Sequence, residues 1–171
     1  MSHSWASMVL WLLGYPDQAL QNSRAALALA EVLPHPYSLA MVHAFAASFH
    51  RLRREVQATQ ARAEAAVALS TTQEFLMWLA WGLIYRGWSL TLQGQGEEGI
   101  LQIRQRLAGR QAIGDLEYPR YLALLAEAYG KAGRVEEGLA ALAAARTIMD
   151  TTGERLYEAA QRWHRRGGGG R

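Results

Sequence analysis

The stretch YLALLAEAYGKAGRVEEGLAAL, Tyr121–Leu142, decides the fold. Large apolar residues recur every three or four positions through Tyr129, the period of a helix with one buried face. Gly133 breaks the pattern, and Glu136 and Glu137 open a second periodic run. Acids there favour the positive end of a helix dipole. The stretch therefore reads as a helix, a tight turn and a second helix.

The same plan recurs upstream. Gly14 in LGYPDQAL, Arg53 in RREVQATQ, Gly94 in GQGEEGIL and Gly133 in GRVEEGLA are turns spaced 39, 41 and 39 residues apart. A period this regular makes each copy the same supersecondary unit. Five residues after the anchors stand Ala19, Ala58, Gly99 and Gly138, and seven before them Ser7, Ala46, Gly87 and Ala126. All are small, as close helix packing requires. Leu10, Phe49, Leu90 and Tyr129, four before the anchors, would fill the space beside them. Twelve after them come Ala26, Ala65, Arg106 and Ala145, so the third copy is the least regular.

Periodicity and punctuation place first helices near 3–13, 37–52, 74–92 and 119–131, and second helices near 16–32, 55–70, 96–110 and 135–150. Pro16 suits a first helical turn, where its missing N–H leaves no gap, and Asp17 complements the dipole. Pro34 and Pro36 punctuate one inter-repeat loop, and Gly114 through Pro119 another. The expected organisation is one repeat domain over 1–166. Its copies fall near 1–33, 37–72, 74–113 and 118–151, with a half repeat at 154–166 and a disordered glycine-rich tail at 167–171. With little before Ser7 and only half a fifth copy, the chain reads as a fragment or a truncated relative of a longer array.

Small then aromatic residues on the first helix and small positions on the second resemble the tetratricopeptide repeat. The period here exceeds that repeat's usual length of about 34 residues by roughly one helical turn and a loop residue. WLLGYPDQAL, QGQGEEGILQIRQ, YLALLAEAYGKAGRVEEGLAAL and TGERLYEA further resemble the C-terminal repeat region of bacterial adenylate or guanylate cyclases and of STAND or AAA-type ATPase signalling proteins. The resemblance covers residues 5 to about 160. It implies an all-α, right-handed solenoid of antiparallel helix pairs. It also implies a regulatory role beside an upstream nucleotide-binding module, in a bacterial cytoplasm.

Composition suits such a scaffold. Half the residues are apolar, 19% are charged and 4 are proline. With no cysteine, disulfides, thiolate metal sites and cysteine nucleophiles are excluded, which fits a reducing compartment. The apolar run Met8–Leu13 is too short for a signal core, and Phe75–Leu92 is broken by Gly82, Arg86 and Gly87, so no membrane span is expected. The net charge is +3, and all but one of the 18 basic residues are arginine. Arg51, Arg53 and Arg54 form one cluster and Arg162, Arg165, Arg166 and Arg171 another; these read as a solvated turn and a tail, leaving nucleic acid as the lesser reading.

Catalytic signals are sparse. A lysine-bearing phosphate loop is missing, and GQGEEG follows a helix and recurs as GRVEEG, so it reads as a structural turn. The neighbouring glutamates Glu97–Glu98 and Glu136–Glu137 diverge by about 100° around a helix, which suits capping better than acid–base work. His43 and His50 share a face but stand about 10 Å apart along the axis, too far for one metal. No enzymatic activity, cofactor or metal is expected.

The resemblance places groove residues thirteen, ten, six and three positions before each anchor. These are Ser4, Met8 and Trp11; Ala40, His43, Ala47 and His50; Trp81, Ile84, Trp88 and Thr91; and Arg120, Ala123, Glu127 and Gly130. Trp11, His43, His50, Trp81, Trp88, Arg120 and Glu127 are the candidate partner-binding residues, with Trp88 the foremost exposed anchor. Trp78, Trp81, Tyr85 and Trp88 at spacings of 3, 4 and 3 fit a core stripe equally. Three classes follow: a regulatory superhelix sensing a protein or small ligand, a freestanding adaptor holding a peptide, or a concealed enzyme or nucleic-acid binder.

Overall fold

A computed structural model describes residues 2–33, 35–108 and 118–152. Among them all regular structure is helical: α1 Ser2–Leu12, α2 Pro16–Val32, α3 Pro36–Leu52, α4 Val56–Thr72, α5 Leu76–Leu92, α6 Gly96–Ala108, α7 Tyr118–Lys131 and α8 Val135–Thr152. Each lies within two residues of the bounds read from periodicity. The expected half repeat and glycine tail, and the second arginine cluster, lie outside the described residues.

The four turns within pairs share one hydrogen-bond plan. The amides of Tyr15, Glu55, Gln95 and Arg134 donate back to the carbonyls of Leu10, His50, Leu90 and Tyr129, at 2.9, 3.0, 3.0 and 2.9 Å. This six-to-one bond needs a left-handed residue just before its donor. Those residues are Gly14, Arg54, Gly94 and Gly133, with φ of 86°, 61°, 89° and 76°. Three are glycine, for which the conformation is free of strain. The second anchor is therefore Arg54 rather than Arg53, and the spacings become 40, 40 and 39 residues.

The shift moves every equivalent position of that copy by one. Ala47 and Thr59 are both 0% exposed and take the places expected of Ala46 and Ala58; Ala66 likewise replaces Ala65. With this register all the notch residues beside the turns, Ser7, Ala19, Ala47, Thr59, Gly87, Gly99, Ala126 and Gly138, are buried.

At the centre of the array the notch is tightest. A Cβ on Gly99 would meet the Gly87 carbonyl oxygen at 2.4 Å and Thr91 Cγ2 at 2.5 Å, and one on Gly87 would meet the Gly99 carbonyl oxygen at 2.8 Å. The backbones of α5 and α6 thus touch directly, which only paired glycines permit. In the last pair Gly138 is less confined, its nearest obstacle being the Ala126 carbonyl oxygen at 3.2 Å.

Neighbouring pairs join unequally. The first helices of successive pairs touch, α1 with α3, α3 with α5 and α5 with α7, while each second helix packs chiefly on the first helices before and after it. The core runs along the first-helix layer through Phe45, Phe49, Trp78, Trp81, Ile84, Tyr85, Trp88 and Tyr121.

Replacing Gly99 by alanine should cost about 1–3 kcal/mol through overpacking, despite alanine's better helix propensity. Gly138→Ala should stay within about 0.5 kcal/mol, since propensity offsets a mild crowding. Urea unfolding of both variants measures the difference; equal costs would contradict the packing described.

Candidate functional site

Three first helices contribute to one polar cluster set in the aromatic seam. From α3 come Ser48 and Arg51, one turn apart on the same face; from α5, Trp81 and Tyr85; from α7, Arg120, Tyr121 and Glu127. Arg120 donates from Nη1 to Ser48 Oγ at 3.2 Å and from Nη2 to the Tyr121 hydroxyl at 2.8 Å. Its guanidinium carbon lies 4.8 Å from the Tyr121 ring centre, 5.2 Å from that of Trp81 and 6.0 Å from that of Tyr85. Cation–π attraction and hydrogen bonds together fix this arginine against two neighbouring helices.

Two turns along α7, Glu127 accepts a hydrogen bond from Arg54 in the α3–α4 turn. This pair links the second helix pair to the fourth across the first-helix layer. Arg54 is largely exposed, so the pair contributes under about 1 kcal/mol and serves mainly to position.

Arg51, one turn after Ser48 on α3, is half-buried overall. Its Nε is sealed from solvent with no hydrogen-bond partner. Burial above all lowers its pKa from the ordinary arginine value, and Arg120 and Arg54 add to the effect while Tyr85 and Glu127 oppose it. Arginine remains protonated under such pressure, so Arg51 is a cation held where charge is costly. The Tyr85 hydroxyl is buried and unpartnered, as are the indole N–H groups of Trp78, Trp81 and Trp88.

A second cluster closes the α1–α3 edge. The Arg53 guanidinium carbon lies 5.8 Å from the ring centres of both Trp11 and Phe49, and Arg53 Nε donates to Glu55 Oε1 at 2.8 Å. His50 Nδ1 lies 2.6 Å from Glu55 Oε2. Burial alone would raise the Glu55 carboxyl, but the bonds from His50 and Arg53 outweigh it and hold it below the usual carboxylate range. The arginine run at 51–54 is therefore divided among three environments, and it is not the solvated turn its composition suggests.

The expected groove residues separate accordingly. Trp81, Arg120 and Glu127 fall in or beside the polar cluster, and Trp11 and His50 join the edge cluster. Trp88, expected as an exposed anchor, is 0% exposed and belongs to the core. Its truncation to alanine removes buried volume of the kind that costs about 3–5 kcal/mol. His43 is buried as well, with Arg62 of α4 and Glu31 of α2 as its charged neighbours, away from the polar cluster. Ser48, Arg51, Arg54, Tyr85 and Tyr121 were missed. The one-residue register shift brings Ser48 and Arg51 onto the groove positions, so the signal was present but misaligned.

Among the described residues no group of three or more His, Asp or Glu side chains could hold a metal ion, and no helix is long and apolar enough to cross a membrane. Comparison of the chain with known protein families, curated proteins and solved structures finds no match.

Burial, reinforced by Arg62 and opposed by Glu31, lowers the pKa of His43 from 6.5. A depressed folded-state value means that the unfolded chain binds the proton more readily, so the stability tied to this residue is present above about pH 6.5 and is lost as pH falls below it. The urea midpoint should drop between pH 7.5 and pH 5.5, and His43→Leu should flatten that slope. An unchanged slope would show that the fold does not lower the pKa of His43.

Proposed function

We propose that the chain is a non-catalytic interaction and regulatory scaffold, a right-handed tetratricopeptide-like solenoid that captures a protein or peptide segment on its first-helix layer. One observation carries the reading: α3, α5 and α7 bring guanidinium, carboxylate, hydroxyl and aromatic groups together on a layer whose helices touch one another. In a solenoid of this kind the first helices, which touch one another, would line the concave side. Rigid aromatic walls with a few oriented polar groups are the composition of binding surfaces.

Regulation of a signalling ATPase or nucleotide cyclase in a bacterial cytoplasm rests on the string resemblance alone. A freestanding adaptor would use the same surface, and a upstream nucleotide-binding module in the same reading frame would decide for the first. Nucleic acid is the weaker alternative, because Arg53 and Arg54 engage aromatic rings and carboxylates.

Peptides selected from a displayed library against the whole chain test the reading. Arg120→Ala and Trp11→Ala should each weaken selected peptides at least tenfold with helical circular dichroism retained. Leu29→Ala and Leu101→Ala, at exposed positions on second helices, should leave affinity unchanged. Peptides sensitive only to the second-helix substitutions would refute it.

A further inference from the structure

We propose that copies of this chain stack head to tail, the exposed face of α8 in one copy receiving the exposed face of α1 in the next. Inside the array, a second helix meets the first helix that follows it through a fixed set of positions. Ala63 and Val67 of α4 confine Gly82 of α5, where a Cβ would meet Val67 Cγ2 at 2.8 Å and the Ala63 carbonyl oxygen at 3.0 Å. Nearer the turns, the Ser89 hydroxyl of α5 lies 3.5 Å from the Val56 carbonyl oxygen of α4. Just past α5, Gln93 Nε2 donates to Gln60 Oε1 at 2.5 Å.

The same positions are open at the two ends. Nine residues after the left-handed turn residue stand Ser23, Ala63 and Ile103, all buried, whereas Leu142 of α8 is exposed. Nine and five residues before it stand Phe45 and Phe49, Tyr85 and Ser89, and Leu124 and Ala128, again all buried. Their counterparts on α1, Trp5 and Val9, are exposed. Leu13 extends the α1 face and Val135 and Leu139 the α8 face, and all six side chains are 47% to 62% exposed. The contacts of Val56 with Ser89 and of Gln60 with Gln93 map onto Val135 with Val9 and Leu139 with Leu13, and that of Ala63 with Gly82 sets Leu142 against the start of α1, beside Trp5. Each is then a contact between apolar side chains. His3 is the one ionisable side chain on α1, and on α8 the counterpart of Val67 is Arg146, whose Nε lies 3.9 Å from Asp150. Trp5 packs edge-on against Phe45 with ring centres 5.0 Å apart, so it is a fixed anchor. A segment continuing the array past one end covers one of these faces; a second copy covers both, by the interface already repeated within the chain. Such a contact joins unlike faces and grows into a filament or closes into a ring. It uses neither Arg120 nor Trp11, so it holds whether or not the first-helix layer captures a peptide.

Sedimentation velocity of the whole chain tests the proposal. Between about 10 μM and about 1 mM the weight-average mass should rise from that of one chain, 19.0 kDa, to at least about twice that value. Val9→Arg and Leu142→Arg, both at exposed positions, should keep their helical circular dichroism and stay monomeric, because every contact then includes one charged face. Mixing the two variants brings together the intact α8 face of the first and the intact α1 face of the second, and should give a one-to-one dimer that grows no further. Leu29→Arg, on the exposed side of α2, should associate as the wild type does. If either arginine variant loses helicity, Leu13→Arg or Leu139→Arg on the same face takes its place. A wild type that stays monomeric, as it does if the residues after α8 cover that face, would overturn the proposal. So would association that survives either substitution, or variants that stay apart on mixing, which marks like faces meeting.

Discussion

Close approach of paired helices at small residues is the constraint from which the rest of the structure follows. Where the Gly87 and Gly99 backbones meet, α5 and α6 are fixed in rotation and height, and that decides which residues of α5 face the next pair. Trp81, Tyr85 and Trp88 are then directed into the seam, where rings of α3 and α7 meet them: Phe45 lies 5.4 Å and Tyr121 6.1 Å from Trp81. Large residues on the first helices fill the volume that small residues at the turns leave open. Neither set would bury a core without the other.

The helices were legible because period and punctuation agreed. Pro16 and Pro36 sit at the starts of α2 and α3, acidic pairs open α6 and α8, and glycine marks three of the four turns. The second turn escaped because Arg54 adopts φ of 61°, a conformation that a side chain other than glycine does not advertise. Small-residue matching could not repair the error, since Ala46 and Ala47 are both small and both buried. One misplaced residue rotates a helix face by about 100°, which exchanged Ser48 and Arg51 for Ala47 and His50.

The polar cluster was harder to foresee for a different reason. Ser48 and Arg120 are 72 residues apart, and Arg54 and Glu127 are 73 apart, so their meeting depends on how the second pair lies against the fourth. Repeat pattern fixes contacts within a pair far better than contacts between first helices two pairs apart. The aromatic stripe was ambiguous on similar grounds: the 3, 4, 3 spacing places four rings on one face, and only the arrival of α3 and α7 on that face makes it core.

The direct apposition of α5 and α6 is what the account depends on most. A nuclear Overhauser spectrum of the folded chain should contain strong cross-peaks from the Gly99 α-protons to the Thr91 methyl and from the Gly87 α-protons to the Ile103 side chain, because those groups would lie 2.5 Å and 2.8 Å from a Cβ placed on each glycine. Assigned resonances without those cross-peaks would mean that the helices do not meet at the notch, and the layer built upon it would fail with it.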